Sequence, residues 1–389
     1  MRIGIVTFIW PSTDPDSGIG NNYQRLTAAL AARGHEVTVF HLNHRKGFWR
    51  KTHEYAEEQY DVLEIPCGVM PEGWSGWLPT CHFAALIKLR KYLRNQEVLE
   101  CSSYRGFPWF YERYKAPYHP PMLIRMSTSE EQMASLNQQR RQSHYRQRLE
   151  NSMIHFAKFL CTHTEAHRKT LIQHMGIEAE KLTVIPHGIL MPAVPIEAEL
   201  QQKFVLYAGR FESRKGTDTL LKAIPLVLER KPDCCFILAG GGEKAEIWRK
   251  EFLKQHDFAD SRVSFLGRVL KDELEILYRE CRFFVSPALY ESFGMTYLEA
   301  MRHGKPVIGC RKSGGAEEVI GDAGLLIPPG DAEALADAII MLWSDQNLHK
   351  SLSLKARARA EYYSMDKKAM RTEAYFEKMI KEDVISRGV

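Results

Sequence analysis

Short apolar runs separated by stretches of helical period set the plan of this chain. Arg2 to Phe8 is rich in Ile and Val and alternates little, as a strand covered on both faces does. The loop Pro11 to Asn22 follows, then an amphipathic helix through Leu26, Leu30 and Ala31 that stops at Gly34, then a second apolar run from Val37 to Phe40. Strand, loop, helix and strand in that order predict one unit of a parallel sheet. The same half yields strands at Glu97 to Cys101, Met122 to Met126, Phe159 to Thr162 and Leu182 to Ile185, with a helix over Glu165 to His174 ended by Gly176. Between His44 and Pro121 the pattern is less regular. A basic aromatic patch, His44 to Lys51, is followed by Trp74 and Trp77 in a Gly/Pro loop and by six aromatics between Phe107 and Tyr118. Core and loop packing accounts for most of these; an acceptor groove or a membrane-facing surface is the sharper alternative.

Pro186 to Pro195 breaks the period with three prolines and reads as a linker. Beyond it the alternation is cleaner. Strands are predicted at Phe204 to Ala208, Cys235 to Ala239, Val263 to Leu266, Phe283 to Val285, Pro306 to Gly309 and Leu325 to Ile327, and a last amphipathic helix at Ala369 to Ile385. The fold class expected is therefore α/β, two Rossmann-like parallel-sheet domains over residues 1–188 and 196–365.

Composition narrows the class without naming a chemistry. At 389 residues, 44% apolar and 26% charged, the chain has the make-up of a globular enzyme with more than one core. A net charge of +5 against 48 acids does not argue for nucleic acid, and Gln138 to Arg148 reads as a solvated helix face or mobile loop. Eight cysteines lie scattered, several inside apolar runs and none at zinc-site spacing, which fits reduced core residues. The stretch Met1 to Trp10 is too short for a signal sequence, and no apolar run reaches the ~18 residues of a membrane span. A cytoplasmic protein, with peripheral contact at the inner membrane face as an option, is the expectation.

Ligand chemistry in such a fold belongs at the carboxyl ends of strands. Gly18-x-Gly20 after the first strand suggests a dinucleotide loop, but Tyr23 stands where a third glycine belongs and His41-Leu42-Asn43 offers no acid to a ribose. In the second half, Arg210 and Lys215 share one loop, and a guanidinium fork plus an ammonium suits a diphosphate. Glu291-Ser292-Phe293-Gly294 precedes a helical stretch carrying Glu299. Backbone N–H groups at the helix start suit a phosphate, Gly294 permits close approach, and the two carboxylates can accept hydrogen bonds from sugar and ribose hydroxyls.

This pair of glutamates eight apart around Ser-Phe-Gly resembles the signature of the retaining nucleotide-sugar glycosyltransferases of the GT-B type, family four (glycosyltransferase group 1). Gly240-Gly241-Gly242, Leu266-Gly267-Arg268-Val269 and Gly314-Gly315 with Glu318 resemble further loops of that family, in the same order and at comparable spacing. The resemblance is tight from about Leu182 to Ile340 and looser before that. It implies two domains facing across a cleft, with the last helix, about 366–389, packed back on the first domain. It implies catalytic roles for Arg210, Lys215 and Glu291, and donor contacts at Gly18, Gly20, Gly209, Gly240, Arg268, Ser292, Phe293, Gly294, Met295, Thr296 and Glu299. It implies a nucleoside-diphosphate sugar as substrate, a hydroxyl acceptor (sugar, lipid-linked sugar or small molecule), and no metal or other cofactor. Acceptor-side candidates are Tyr104, Arg125 and Ser127, the last standing where many members carry a His. An Asn-Gly and acid usual in the linker are replaced by His187-Gly188-Ile189-Leu190. Rivals are an epimerase or phosphorylase on the same fold, or a non-catalytic nucleotide-sugar-binding protein.

Overall fold

The computed structural model describes the chain except for residues 15–16, 58, 69–77, 128–143, 193–203, 257–261 and 388–389. The loop with Trp74 and Trp77, most of the basic stretch 138–148, and Thr128 beside Ser127 therefore lie outside the described residues. The chain divides into two compact units: Met1–His163, Arg168–Gly188 and Met365–Val389 form the first, Thr164–His167 and Ile189–Ser364 the second.

The first unit holds strands β1 (Arg2–Thr7), β2 (Glu36–Asn43), β3 (His53–Ala56), β4 (Asp61–Pro66), β5 (Val98–Ser102), β6 (Met122–Arg125), β7 (Phe159–Thr162) and β8 (Leu182–Val184). They form one sheet in the order β3-β4-β2-β1-β5-β6-β7-β8. Every pair is parallel except β3 with β4 at the edge. From β1 the chain runs outward to β2 and β4; from β5 it runs the other way. The boundary between β1 and β5 is thus the point where strand order reverses, the usual place for a ligand. Ile3 and Ile5 of β1 join Leu26, Leu30, Phe376 and Met379 in one core layer, while Val6 joins Phe40, Leu86 and Leu99 in another. The two-residue period of a strand sends neighbours to opposite faces, and both faces are covered.

Two expectations need correcting here. Gly18 and Gly20 are not in a loop: the helix Gly18–Ala32 begins at the first of them, with Ser17 as its cap accepting from the Gly20 N–H. The irregular region holds two strands, β3 and β4, and two helices, Leu78–Leu93 and Phe107–Tyr114. Four residues of the first half, Thr164–His167, group with the second unit. The last helix, Met365–Arg387, belongs to the first unit.

The second unit holds β9 (Val205–Ala208), β10 (Phe236–Ala239), β11 (Val263–Gly267), β12 (Phe283–Val285), β13 (Val307–Cys310) and β14 (Gly324–Ile327), all parallel in the order β11-β10-β9-β12-β13-β14. Here the order reverses between β9 and β12. Val205, Tyr207 and Phe283 face a core completed by Leu220, Ile224, Leu335 and Ile339; Leu206, Ala208 and Phe284 face one completed by Tyr297, Leu298 and Ala356. Among the described residues no helix is long and apolar enough to cross a membrane.

Candidate functional site

Five loops leave the carboxyl ends of β11, β10, β9, β12 and β13, and backbone hydrogen bonds join them in that order. Gly240 N–H donates to Gly267 O at 2.7 Å, Gly209 N–H to Ala239 O at 3.0 Å, Leu289 N–H to Arg214 O at 2.8 Å, and Glu291 N–H to Ser313 O at 2.8 Å. Such close seams exclude side chains. A Cβ on Gly240, at φ 147°, would fall 1.8 Å from Gly209 O, and one on Gly216, at φ 69°, would fall 1.9 Å from Pro287 O. Glycines at these two positions are therefore required by the packing of one loop on the next.

Charge is distributed unequally on the β9 loop. The Lys215 ammonium sits on the Glu291 carboxylate, which reaches it from the β12 loop. Arg214 donates to Glu212 Oε1 at 2.5 Å and to Tyr290 O at 3.2 Å, so this guanidinium braces the loop. Arg210 is 72% exposed and only 4.0 Å from Glu212 at its nearest. Glu212 went unnoticed in the sequence, where its signal is the alternation Arg210, Glu212, Arg214. Beneath the loop, the Tyr207 hydroxyl donates to Arg210 O at 3.0 Å and lies 2.7 Å from Thr217 Oγ1; burial pushes this phenol well above its ordinary pKa. Tyr297 anchors the β12 loop in the same way, donating to Ser286 O at 2.5 Å. Neither tyrosine was legible as part of the site, because Tyr207 lies inside an apolar run and Tyr297 on the buried face of a helix.

Gly294 adopts φ 94° and opens the seven-residue helix Met295–Met301. Met295 and Thr296 are half-buried at its start, beside the half-buried Ser292. Phe293 is buried and packs edge-on against Tyr363 at 5.6 Å, so its side chain serves the core and only its backbone is left for a ligand. Glu299 lies beside the buried hydroxyl of Tyr278, whose pKa is raised first by burial and then by the Glu299 charge. Arg268 is exposed just beyond β11, next to Gly267.

In the first unit the acceptor-side candidates separate. Arg125 is not available to an acceptor: it is buried, donates to Glu100 Oε1 at 2.7 Å and to Ile185 O at 3.0 Å, and so holds β5, β6 and the chain after β8 together. Lys368, from the last helix, is fully buried nearby and donates to Asn22 Oδ1 at 2.8 Å; burial, then the Arg125 charge, push its pKa well down. Ser127 is half-buried just beyond β6, its Oγ 3.1 Å from Ser103 Oγ. Tyr104 is half-buried on the short turn after β5.

Comparison with known proteins matches both halves. Residues 202–345 match the family described as Glycosyl transferases group 1, and residues 17–190 match Glycosyltransferase Family 4. O-antigen chain mannosyltransferase B of Escherichia coli is 30% identical over 227 residues, covering 54% of this chain and 58% of that protein. D-inositol 3-phosphate glycosyltransferase of Pseudarthrobacter chlorophenolicus is 29% identical over 227 residues, 54% of each chain. The match thus spans a little over half the length of these relatives. Among solved structures, sucrose-phosphate synthase from Thermosynechococcus elongatus superposes with a TM-score of 0.75 at 21% identity, covering 98% of this chain and 99% of that one. Anabaena HepE, solved in complex with UDP, gives 0.71 at 17% identity, covering 97% and 100%. With two parallel-sheet units, the loop series of the second unit and family matches in both halves, this chain belongs to glycosyltransferase family 4 of the GT-B fold.

Proposed function

We propose that the protein transfers a sugar from a nucleoside-diphosphate sugar to a hydroxyl acceptor, with retention of anomeric configuration and without a divalent metal. The observation that carries this reading is the grouping of Lys215, Glu291 and the helix start at Gly294 where strand order reverses in the second unit, with Arg210 exposed on the same loop. A sugar–diphosphate bond breaks with negative charge accumulating on the leaving oxygen. Lys215, Arg210 and the N–H groups after Gly294 supply positive charge to that oxygen and its phosphates, which is the task a metal performs elsewhere. Glu291 accepts hydrogen bonds from the sugar, and Glu299, positioned by Tyr278, accepts them from the ribose. In retention without a second carboxylate as nucleophile, the departing diphosphate takes the acceptor's proton on the face from which the hydroxyl attacks.

The first unit holds the acceptor, and its Ser127, unlike a histidine, has no group to titrate near neutrality. Relatives named as mannosyl- and inositol-phosphate glycosyltransferases, and HepE solved with UDP and with UDP-glucose, support a nucleotide-sugar donor.

A thermal-shift panel of UDP-, GDP- and ADP-sugars in the presence of EDTA tests donor binding. One base should stabilise the protein, by ~2.7 kcal/mol at one hundred times its dissociation constant. Incubation with that donor and candidate acceptors should then yield a glycoside with EDTA present. An isomerised sugar would replace this reading with an epimerase, binding without product would leave a nucleotide-sugar-binding protein, and strict metal dependence would remove the proposed charge arrangement.

A further inference from the structure

Arg105 follows β5 at φ 66° and ψ 1°, a left-handed conformation that side chains bearing a Cβ adopt only at a cost. Its neighbour Gly106, at φ 73°, is explained by crowding, since a Cβ there would fall 2.9 Å from Leu149 Cβ. Crowding does not explain an arginine at 105. Strained residues of this sort are held in place by their surroundings, and they concentrate at ligand sites.

Those surroundings are specific. The Arg105 guanidinium carbon lies 5.3 Å from the Tyr104 ring centroid and 5.9 Å from that of Phe8, and its Nη1 lies 2.9 Å and 3.0 Å from the two ring nitrogens of His44. Phe8, His44 and Tyr104 follow β1, β2 and β5, which are neighbours in the sheet, and β1 with β5 marks the reversal of strand order in the first unit. Beside them the Ser103 and Ser127 hydroxyls meet at 3.1 Å at the ends of β5 and β6. Aromatic faces and an imidazole hold the guanidinium without neutralising it. Among the described residues no carboxylate pairs with Arg105, and its Nε is buried with no hydrogen-bond partner. Arg125, a few residues away in the sheet, shows the contrast: it is buried on Glu100. A guanidinium that is stacked, half-buried and lacking a counter-ion is a fork for an oxyanion.

We propose that Arg105, with His44 and the Ser103–Ser127 hydroxyls, forms an oxyanion site, and that the acceptor carries a negative group, a phosphate ester or a carboxylate, bound there. Identification of the anion with the acceptor rests on the transferase reading above; the anion site itself does not.

The test uses the intact chain at low ionic strength, titrated separately with inorganic phosphate and with acetate, and followed calorimetrically and through the His44 ring resonances. Saturable binding is expected, with the His44 signals moving. Arg105→Gln should weaken it at least tenfold and Arg105→Lys less. Arg105→Gly, at ease at φ 66°, should abolish it while leaving the melting temperature unchanged or higher. Tighter binding of phosphate points to a phosphate ester and tighter binding of acetate to a carboxylate. Absence of saturable binding, or affinity unchanged in both Arg105→Gln and Arg105→Gly, overturns the proposal. Nucleotide-induced thermal shift, measured on the same variants, should be unaltered. Its absence from the parent chain would remove the transferase reading while leaving the anion site standing.

Discussion

Each unit contains a cation–carboxylate pair near the carboxyl ends of its strands, and the two pairs are built for opposite purposes. Arg125 and Glu100 are both within a few per cent of complete burial, on adjacent central strands, and the arginine also satisfies a backbone carbonyl. Lys215 and Glu291 are 18% and 12% exposed, and they sit on loops at the point where strand order reverses. A buried pair gains little over an apolar substitute yet is costly to break, because the survivor is left charged in a medium that solvates it poorly. A pair that keeps some contact with solvent loses less when its partners separate. The carboxylate is a glutamate in both places; what differs is the cation and the burial, which make the first pair architecture and leave the second, under the proposed function, able to receive an anion.

The comparison can be broken at several points. The largest effect is expected at Glu100→Ala, which strands Arg125 and should cost the first unit about 3–5 kcal/mol, read from urea unfolding. A loss under about 1 kcal/mol would mean that Arg125 finds another anion, and the contrast with Lys215 would fail. Lys215→Ala should slow transfer by ~10² or more, as loss of one preorganised donor does, while shifting the unfolding midpoint little. Comparable losses of rate and stability would make that pair structural too. The smallest effect is expected for Glu299→Ala, which should weaken free-nucleotide binding about tenfold, whereas Glu291→Ala should spare nucleotide affinity and impair turnover. Equal loss of affinity in both variants would dissolve the division of labour between the two carboxylates.

The second unit was legible from the sequence nearly strand by strand, because its parallel strands are short apolar runs and its loops carry glycines that only a close backbone seam requires. The first unit was less legible for identifiable reasons. β3 is an edge strand, His53–Ala56, with three of its four residues exposed, so no apolar run announces it. β4 carries a buried Glu64 neutralised by Lys46, which interrupts its apolar pattern. The helix Leu78–Leu93 buries Cys81, Ala85, Leu86, Leu89 and Leu93 on one face, but Phe83 and Ile87 are exposed on the other and blur its amphipathic pattern. Arg125 at a strand end invited a ligand role, and only its register beside β5 shows that Glu100 already holds it. Nothing in the sequence distinguishes Arg105 from its neighbours, since its significance lies in a backbone angle and in residues brought from two other strands.

The packing of Met365–Arg387 into the first unit also sets an order in time. Phe376, Met379 and Ala369 complete the layer that begins with Ile3, Ile5, Leu26 and Phe159, so that layer stays open until the helix Met365–Arg387 leaves the ribosome. At about 5–20 residues per second, synthesis of Ile189–Ser364 occupies on the order of ten to thirty seconds, long enough for the second unit to fold first. Throughout that interval the nascent first unit exposes an apolar face and an uncompleted seat for Lys368. Truncation before Met365 would make that state permanent.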